Sequence, residues 1–182
     1  MIYTEKELNE LGIKHGKEPR ISNKITVYGT LEVGDYARID DGCIFTGDVW
    51  IGSYGHQAPY CIFYGKGVIR IGDYSGFSPF SVLHSEVDDY SGDGMPGPQV
   101  PAKYRAAPFI GMIDIGNSVS AGTRVTIMPG VTVGDGVSIG AHSFINANCE
   151  PWSIYAGTPA RLIRRKTGNQ QRQLEEVMHI QV

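Results

Sequence analysis

A step of six residues runs through most of this chain. From Ile115, apolar or small residues recur at Ala121, Ile127, Val133, Ile139 and Ile145. A second series runs two residues ahead of it: Ile113, Val119, Val125, Val131, Val137, then Ser143. An earlier block repeats the arrangement at Val27, Val33, Ile39, Phe45 and Ile51, shadowed by Ile25, Leu31, Ala37, Cys43 and Val49. A middle block holds Ile71, Phe77 and Leu83, with about two extra residues between Ile51 and Ile71. A step of six does not fit the 3.6-residue helical turn, so this pattern is not helical. On a strand, residues two apart face the same side, so each unit buries two side chains and must then turn a corner. Three such strands make a triangular coil of about 18 residues, and stacked coils bury a core that no single coil can bury alone. The chain is therefore read as all-β, a parallel β-helix of hexapeptide repeats.

Composition supports that reading. There are 24 glycines in 182 residues, well above the usage of about 7% in ordinary proteins. Gly34, Gly52, Gly72, Gly116, Gly122, Gly134 and Gly140 each follow a ladder residue, and the reading assigns them to corners that require φ > 0. Net charge is −3, so no electrostatic footprint for nucleic acid is visible. No apolar run approaches the roughly 20 residues needed to span a membrane. The opening residues lack the apolar stretch of a signal peptide. Cys43, Cys61 and Cys149 are odd in number and widely spaced, which argues against a disulfide framework and points to a cytoplasmic setting.

One domain, 1–182, is expected. Residues 1–20 lack the repeat and form an N-terminal cap, with Thr4 and Glu7 spaced as a capping box, Leu8 and Leu11 as an apolar stripe and Gly12 as a stop. Coils occupy 21–83 and 113–150. Residues 84–112 interrupt them, and residues 151–182 close the prism with an amphipathic helix around Gln170–Met178. Unstructured loops beyond about 12–15 residues are usually functional or disordered, and the aromatic and charged residues of 84–112 favour function. Within it, Gly92 to Gly97 matches G-x-G-x-x-G, but no βαβ unit surrounds it, so it is read as a loop tip. The three cysteines are read as small core residues. Trp50 and Trp152 are assigned to packing between coils or subunits.

The [Ile/Val]-Gly-x-x-x-x pattern resembles the hexapeptide-repeat family, whose members fold as left-handed parallel β-helices. Glu7–Gly12, Arg38-Ile39-Asp40-Asp41, and Asp88-Asp89-Tyr90-Ser91-Gly92 with Pro98 and Pro101 resemble a subgroup of sugar and surface-polysaccharide O-acetyltransferases, O-antigen and capsule enzymes among them. The resemblance implies transfer from acetyl-CoA to a hydroxyl of a sugar or polysaccharide precursor, by a histidine base and direct attack. N-acylation of a nucleotide-linked amino sugar is the alternative, and a non-catalytic trimeric scaffold is the alternative of another class. It also implies a homotrimer. The zinc enzymes of this fold use a His-x4-His pair. None is present, and no metal is expected.

Histidine suits proton transfer because its ordinary pKa lies near neutrality. Two candidates stand open. His84 follows the last ladder residue before the insertion, where sugar-acetyltransferase relatives carry their base. His56 lies in Gly-Ser-Tyr-Gly-His-Gln-Ala-Pro-Tyr, read as the point where the register shifts, and a histidine there is typical of the subgroup. Asp88 or Asp89 is assigned to orient the imidazole, with His56 of one chain facing the insertion of the next. Asp89, Tyr90, Tyr104 and Tyr60 are the acceptor-side candidates. On the donor side the resemblance implies that Thr123, Ala141 and Gly157 flank the pantetheine arm of CoA. It also implies that Arg161, Arg164, Arg165 and Lys166 meet its phosphates. Asn146-Ala147 replaces the Thr-Lys common in relatives.

Overall fold

The computed structural model describes residues 1–180; Gln181 and Val182, at the end of the closing segment, lie outside the described residues. The chain winds through three parallel sheets, which form the faces of a prism. Face I stacks Lys14–His15, Thr30–Val33, Asp48–Ile51, Ile69–Ile71, Ile113–Ile115 and Thr132–Val133. Face II stacks Arg20–Ile21, Arg38–Ile39, His56–Gln57, Gly76–Phe77, Ser120–Ala121, Ser138–Ile139 and Ser153–Gly157. Face III stacks Thr26–Val27, Ile44–Phe45, Ile62–Tyr64, Val82–His84, Thr126–Ile127 and Phe144–Ile145. Each strand pairs with the one a coil away, as in Ile39 with Gln57, Phe45 with Phe63 and Ile51 with Ile71.

The two ladders form the core. Ile113 to Ile145 of the last block are buried at every ladder position, Ser143 included. The Ser143 hydroxyl donates to the Gly140 carbonyl at 2.6 Å, which removes the cost of burying it. Phe45 and Phe63 stack at 4.9 Å, and Phe77 meets Phe63 edge-on at 6.5 Å. Gln57 takes the next inward position between Ile39 and Phe77, and its buried amide finds no partner among the described residues. The three cysteines are free and buried, and burial pushes the Cys149 thiol up to about 11.

The corner glycines work differently from the expectation. None of the seven that follow ladder residues has a positive φ. The left-handed residue comes two places later, at Tyr36, Tyr54, Tyr74, Ser118, Arg124, Gly136 and His142. The ladder glycines are required by stacking. A Cβ on Gly52 would sit 2.7 Å from the Asp73 backbone nitrogen, and one on Gly122 would sit 2.6 Å from that of Ala141. Where Asp or Asn follows the glycine, its side chain ties the coils together. The Asp35 carboxylate accepts from Lys17 N–H, Asp73 from Ser53 N–H, Asn117 from Asp73 N–H and Asp135 from Asn117 N–H, at 2.6–2.8 Å.

The register break also moves. Ile51, Gln57 and Phe63 keep the six-residue step, and the extra residues lie between Tyr64 and Val68, where Gly65 has φ +121. His56 therefore sits in a regular coil, in register with Arg38. Coiling begins inside the segment assigned to the cap, since Lys14–His15 already pairs with Thr30–Val33. Helix α1, Glu5–Glu10, carries the expected capping box and buries Leu8, while Leu11 stays exposed.

The closing segment is a β-hairpin. Ala160–Arg165 runs antiparallel to Ser153–Gly157 and extends face II. Helix α2, Gln170–Ile180, follows, and Gln170 Nε2 donates to Ser118 Oγ at 3.0 Å. No helix among the described residues is long and apolar enough to cross a membrane.

Candidate functional site

Leu83 points into the core, so the next residue, His84, must point out. The chain leaves the coil just after it. His84 is half-buried and meets the Tyr64 ring edge-on at 6.0 Å. Burial lowers the imidazole pKa below its ordinary value, which favours the neutral ring, whose lone pair can accept a proton. Ser85 donates its N–H to the Tyr64 carbonyl at 2.7 Å and its hydroxyl to the same oxygen at 3.1 Å. A short antiparallel pair, Glu86–Val87 with Phe109–Ile110, forms the stem of the insertion.

Beside that stem lies a cleft of about 370 Å³, lined by Tyr64, Lys66, Glu86, Asp88, Pro98 and Arg105 among others. Lys66 Nζ pairs with Glu86 at 3.1 Å, and Arg105 Nη1 donates to the Pro98 carbonyl at 3.1 Å. Asp88 brings a carboxylate with no hydrogen bond among the described residues. Asp89 is occupied in its own turn, accepting from the Ser91 N–H and hydroxyl at 2.8 Å each. Those bonds lower its pKa. Tyr90 and Tyr104 do not line the cleft. Both rings are exposed, and Tyr104 packs against the Lys103 ammonium, because the insertion offers no apolar layer to bury them. Tyr64 supplies the aromatic wall instead. The extra residues after Tyr64 set it in register with His84, a pairing that the six-residue step does not give.

His56 occupies another face. It points outward from face II, and its Nε2 lies 2.8 Å from Asp40 Oδ2. Arg38 Nε donates to the other oxygen of Asp40 at 2.7 Å. Burial raises the Asp40 pKa, but the hydrogen bonds from His56 and Arg38 outweigh it, and the net shift is downward. An ionised Asp40 can only accept, so Nε2 of a neutral His56 carries the proton and Nδ1 is the free base. Within the described residues it is Asp40 that bonds an imidazole; Asp88 and Asp89, the expected orienting acids, bond neither. The signal was the spacing: Arg38 is in register with His56, and Asp40 follows two residues later on the same side of the strand. His56 and His84 lie on different faces, so one chain does not bring them to one point.

The donor-side residues separate into two groups. Ala121, Ile139 and Tyr155 are in register, which stacks Thr123, Ala141 and Gly157 on one corner between faces II and III. Thr123 Oγ1 donates to the Pro79 carbonyl at 2.7 Å, and the Gly157 N–H donates to Ser143 Oγ at 3.1 Å, so the column is pinned to the coils. Arg161, opposite Ala156 in the hairpin, stands at the same corner. Arg164 and Lys166 do not join it. They lie at the far end of the strand, because the hairpin runs back across face II, and Arg165 pairs with Glu150.

Comparison with known proteins bears on this arrangement. Residues 113–147 match the family model described as bacterial transferase hexapeptide (six repeats). The chain is 34% identical to a dTDP-4-amino-4,6-dideoxy-D-glucose acyltransferase of Escherichia coli, over 92% of this chain and 90% of that protein. It is 48% identical to galactoside O-acetyltransferase of Escherichia coli K12, but over only 29% of this chain and 26% of that one. Among solved structures it resembles AntD, an N-acyltransferase from Bacillus cereus in complex with dTDP and 3-hydroxybutyryl-CoA. That match has a TM-score of 0.89 and 32% identity, covering 99% of this chain and 97% of the other.

Proposed function

The chain belongs to the hexapeptide-repeat acyltransferase family, and from that premise we propose that it transfers an acyl group from acyl-CoA to the amine of a dTDP-linked amino sugar. The observation that carries this reading is the closeness of the match along the whole chain. Similarity to the dTDP-amino-sugar acyltransferase and to the N-acyltransferase AntD extends over nearly the whole chain, with a TM-score of 0.89 to AntD, whereas galactoside O-acetyltransferase matches only a short stretch and a maltose O-acetyltransferase that spans 90% of the chain superposes at a TM-score of only 0.58. This moves the weight from the hydroxyl acceptor, favoured by the sequence motifs, to the amine. The AntD complex with 3-hydroxybutyryl-CoA leaves room for acyl groups other than acetyl.

In this reading the acyl-CoA arm runs along Thr123, Ala141 and Gly157, whose short side chains allow close approach, and Arg161 meets a phosphate at its end. The acceptor enters the insertion cleft. Asp88 accepts a hydrogen bond from its amino group, which reacts as the free amine, and Arg105 and Lys66 face its diphosphate. The neutral His84 imidazole takes a proton from the amine as nitrogen attacks the thioester carbonyl carbon. The C–N bond forms, the tetrahedral oxyanion collapses, the C–S bond breaks, and the departing thiolate receives the proton. A second reading places the base at His56, supported by the Asp40 bond that fixes its tautomer.

A homotrimer fits the outer surface of face III, where half-buried Ile44, Ile62 and Val82 form an apolar strip along three successive coils, with Thr126 and then Phe144 above them. Free, buried cysteines suit a cytoplasmic setting. The proposal is tested by following thiol release from acetyl-CoA and longer acyl-CoAs. One set of acceptors carries dTDP-linked amino sugars; the other carries sugars with hydroxyls only. Faster release with the amines is the expected result, and faster release with the hydroxyl set overturns the N-acyl reading. A melting temperature unmoved by saturating acyl-CoA would instead support the scaffold.

A further inference from the structure

Trp152 tops the corner between faces I and II, and its ring lies directly over Gly136, where a Cβ would meet Trp152 Cε3 at 2.1 Å. Part of the indole lines a cleft of about 280 Å³ between the closing hairpin and the first turn of α2. Arg164 and Lys166 line the same cleft, and no carboxylate does among the described residues. Among the described residues their side chains bond only to neutral oxygens: Arg164 Nη1 to the Arg165 carbonyl at 3.2 Å and Lys166 Nζ to Gln170 Oε1 at 2.9 Å. Burial, and then the nearby Arg164, lower the Lys166 pKa, as expected for two cations held together without an anion. The start of α2 adds a partial positive charge on the same side.

We propose that this cleft binds a free nucleoside phosphate, its base on Trp152 and its phosphate between Arg164 and Lys166, at a site separate from the donor column. An indole with one side seated on backbone is a stacking platform for a planar ring. Two unpaired cations beside it select for phosphate. Separation from the donor column follows from the strand: Lys166 lies five positions beyond Arg161, about 16 Å of extended chain. The cleft also lies at the opposite corner of face II from Thr123, Ala141 and Gly157.

The test uses tryptophan fluorescence in the full chain. Trp50→Phe leaves Trp152 as the sole tryptophan. ADP, dTDP, inorganic phosphate and CoA are titrated in turn. The nucleoside diphosphates are expected to change Trp152 emission saturably, with inorganic phosphate weaker by at least about tenfold. Arg164→Glu with Lys166→Glu is expected to weaken the nucleotides by a similar factor at an unchanged melting temperature, and Lys166→Gln gives a milder variant should the pair unfold. Saturating acetyl-CoA is expected to leave the nucleotide midpoint in place. Absence of a saturable change, full binding in the charge variants, or displacement by CoA one for one would each overturn the proposal. Turnover is not measured, so failure here leaves the N-acyl reading to its own assay.

Discussion

At the scale of single residues, the two histidines differ in kind. His84 is half-buried beside Tyr64, and burial lowers its pKa, while His56 is exposed and tied to Asp40. His84→Ala is expected to lower the rate of thiol release by about 10²-fold or more. His56→Ala is expected to cost less than about tenfold in the same assay. The reverse order would transfer the base to His56, and Asp40→Asn would then lower the rate as well. The acid limb of kcat/KM should fall below the ordinary imidazole value near 6.5, because the folded imidazole resists protonation. The same shift has a sign in stability. The unfolded chain takes the proton first, so the contribution of His84 is full above about pH 6.5 and declines as pH falls, and a neutral Gln at 84 should flatten that slope. Gln57 offers a residue-scale test of the core. Replacing its unpaired buried amide by Leu is expected to stabilise the chain by about 1–3 kcal/mol, read as a rise in melting temperature. A fall would show that a buried water satisfies the amide.

At the scale of the element, the coil rests on a division of labour among neighbouring positions. The ladder residue fills the core, the glycine after it lets the next coil approach, the following Asp or Asn accepts a backbone N–H across coils, and a left-handed residue completes the corner. Gly52→Ala would put a methyl 2.4 Å from Asp73 Oδ1 and 2.7 Å from its nitrogen. It is expected to destabilise by about 1–3 kcal/mol in denaturant unfolding, as overpacking does. A neutral result would show that the stacked coils separate at little cost. The left-handed tyrosines are compensated by contact: Tyr36, Tyr54 and Tyr74 stack in sequence at 5.1 and 5.0 Å.

At the scale of the whole molecule, face III presents its apolar strip to solvent in a single chain. Ile62→Glu is expected to convert a trimer into monomers in analytical ultracentrifugation, and an unchanged mass would place any interface elsewhere. The sequence by itself determined the coil, its inward residues, the break at 84–112 and the terminal helices. Each follows from local periodicity, capping or composition. The tertiary structure decided which side chains meet. Asp40 reaches His56 across a coil, Tyr64 meets His84 because extra residues after Tyr64 shift the register, and the antiparallel hairpin carries Arg164 and Lys166 away from Arg161. Those contacts depend on strand register and on the direction of the closing strand. A six-residue period fixes which way a side chain faces, but not which neighbour a later coil sets beside it.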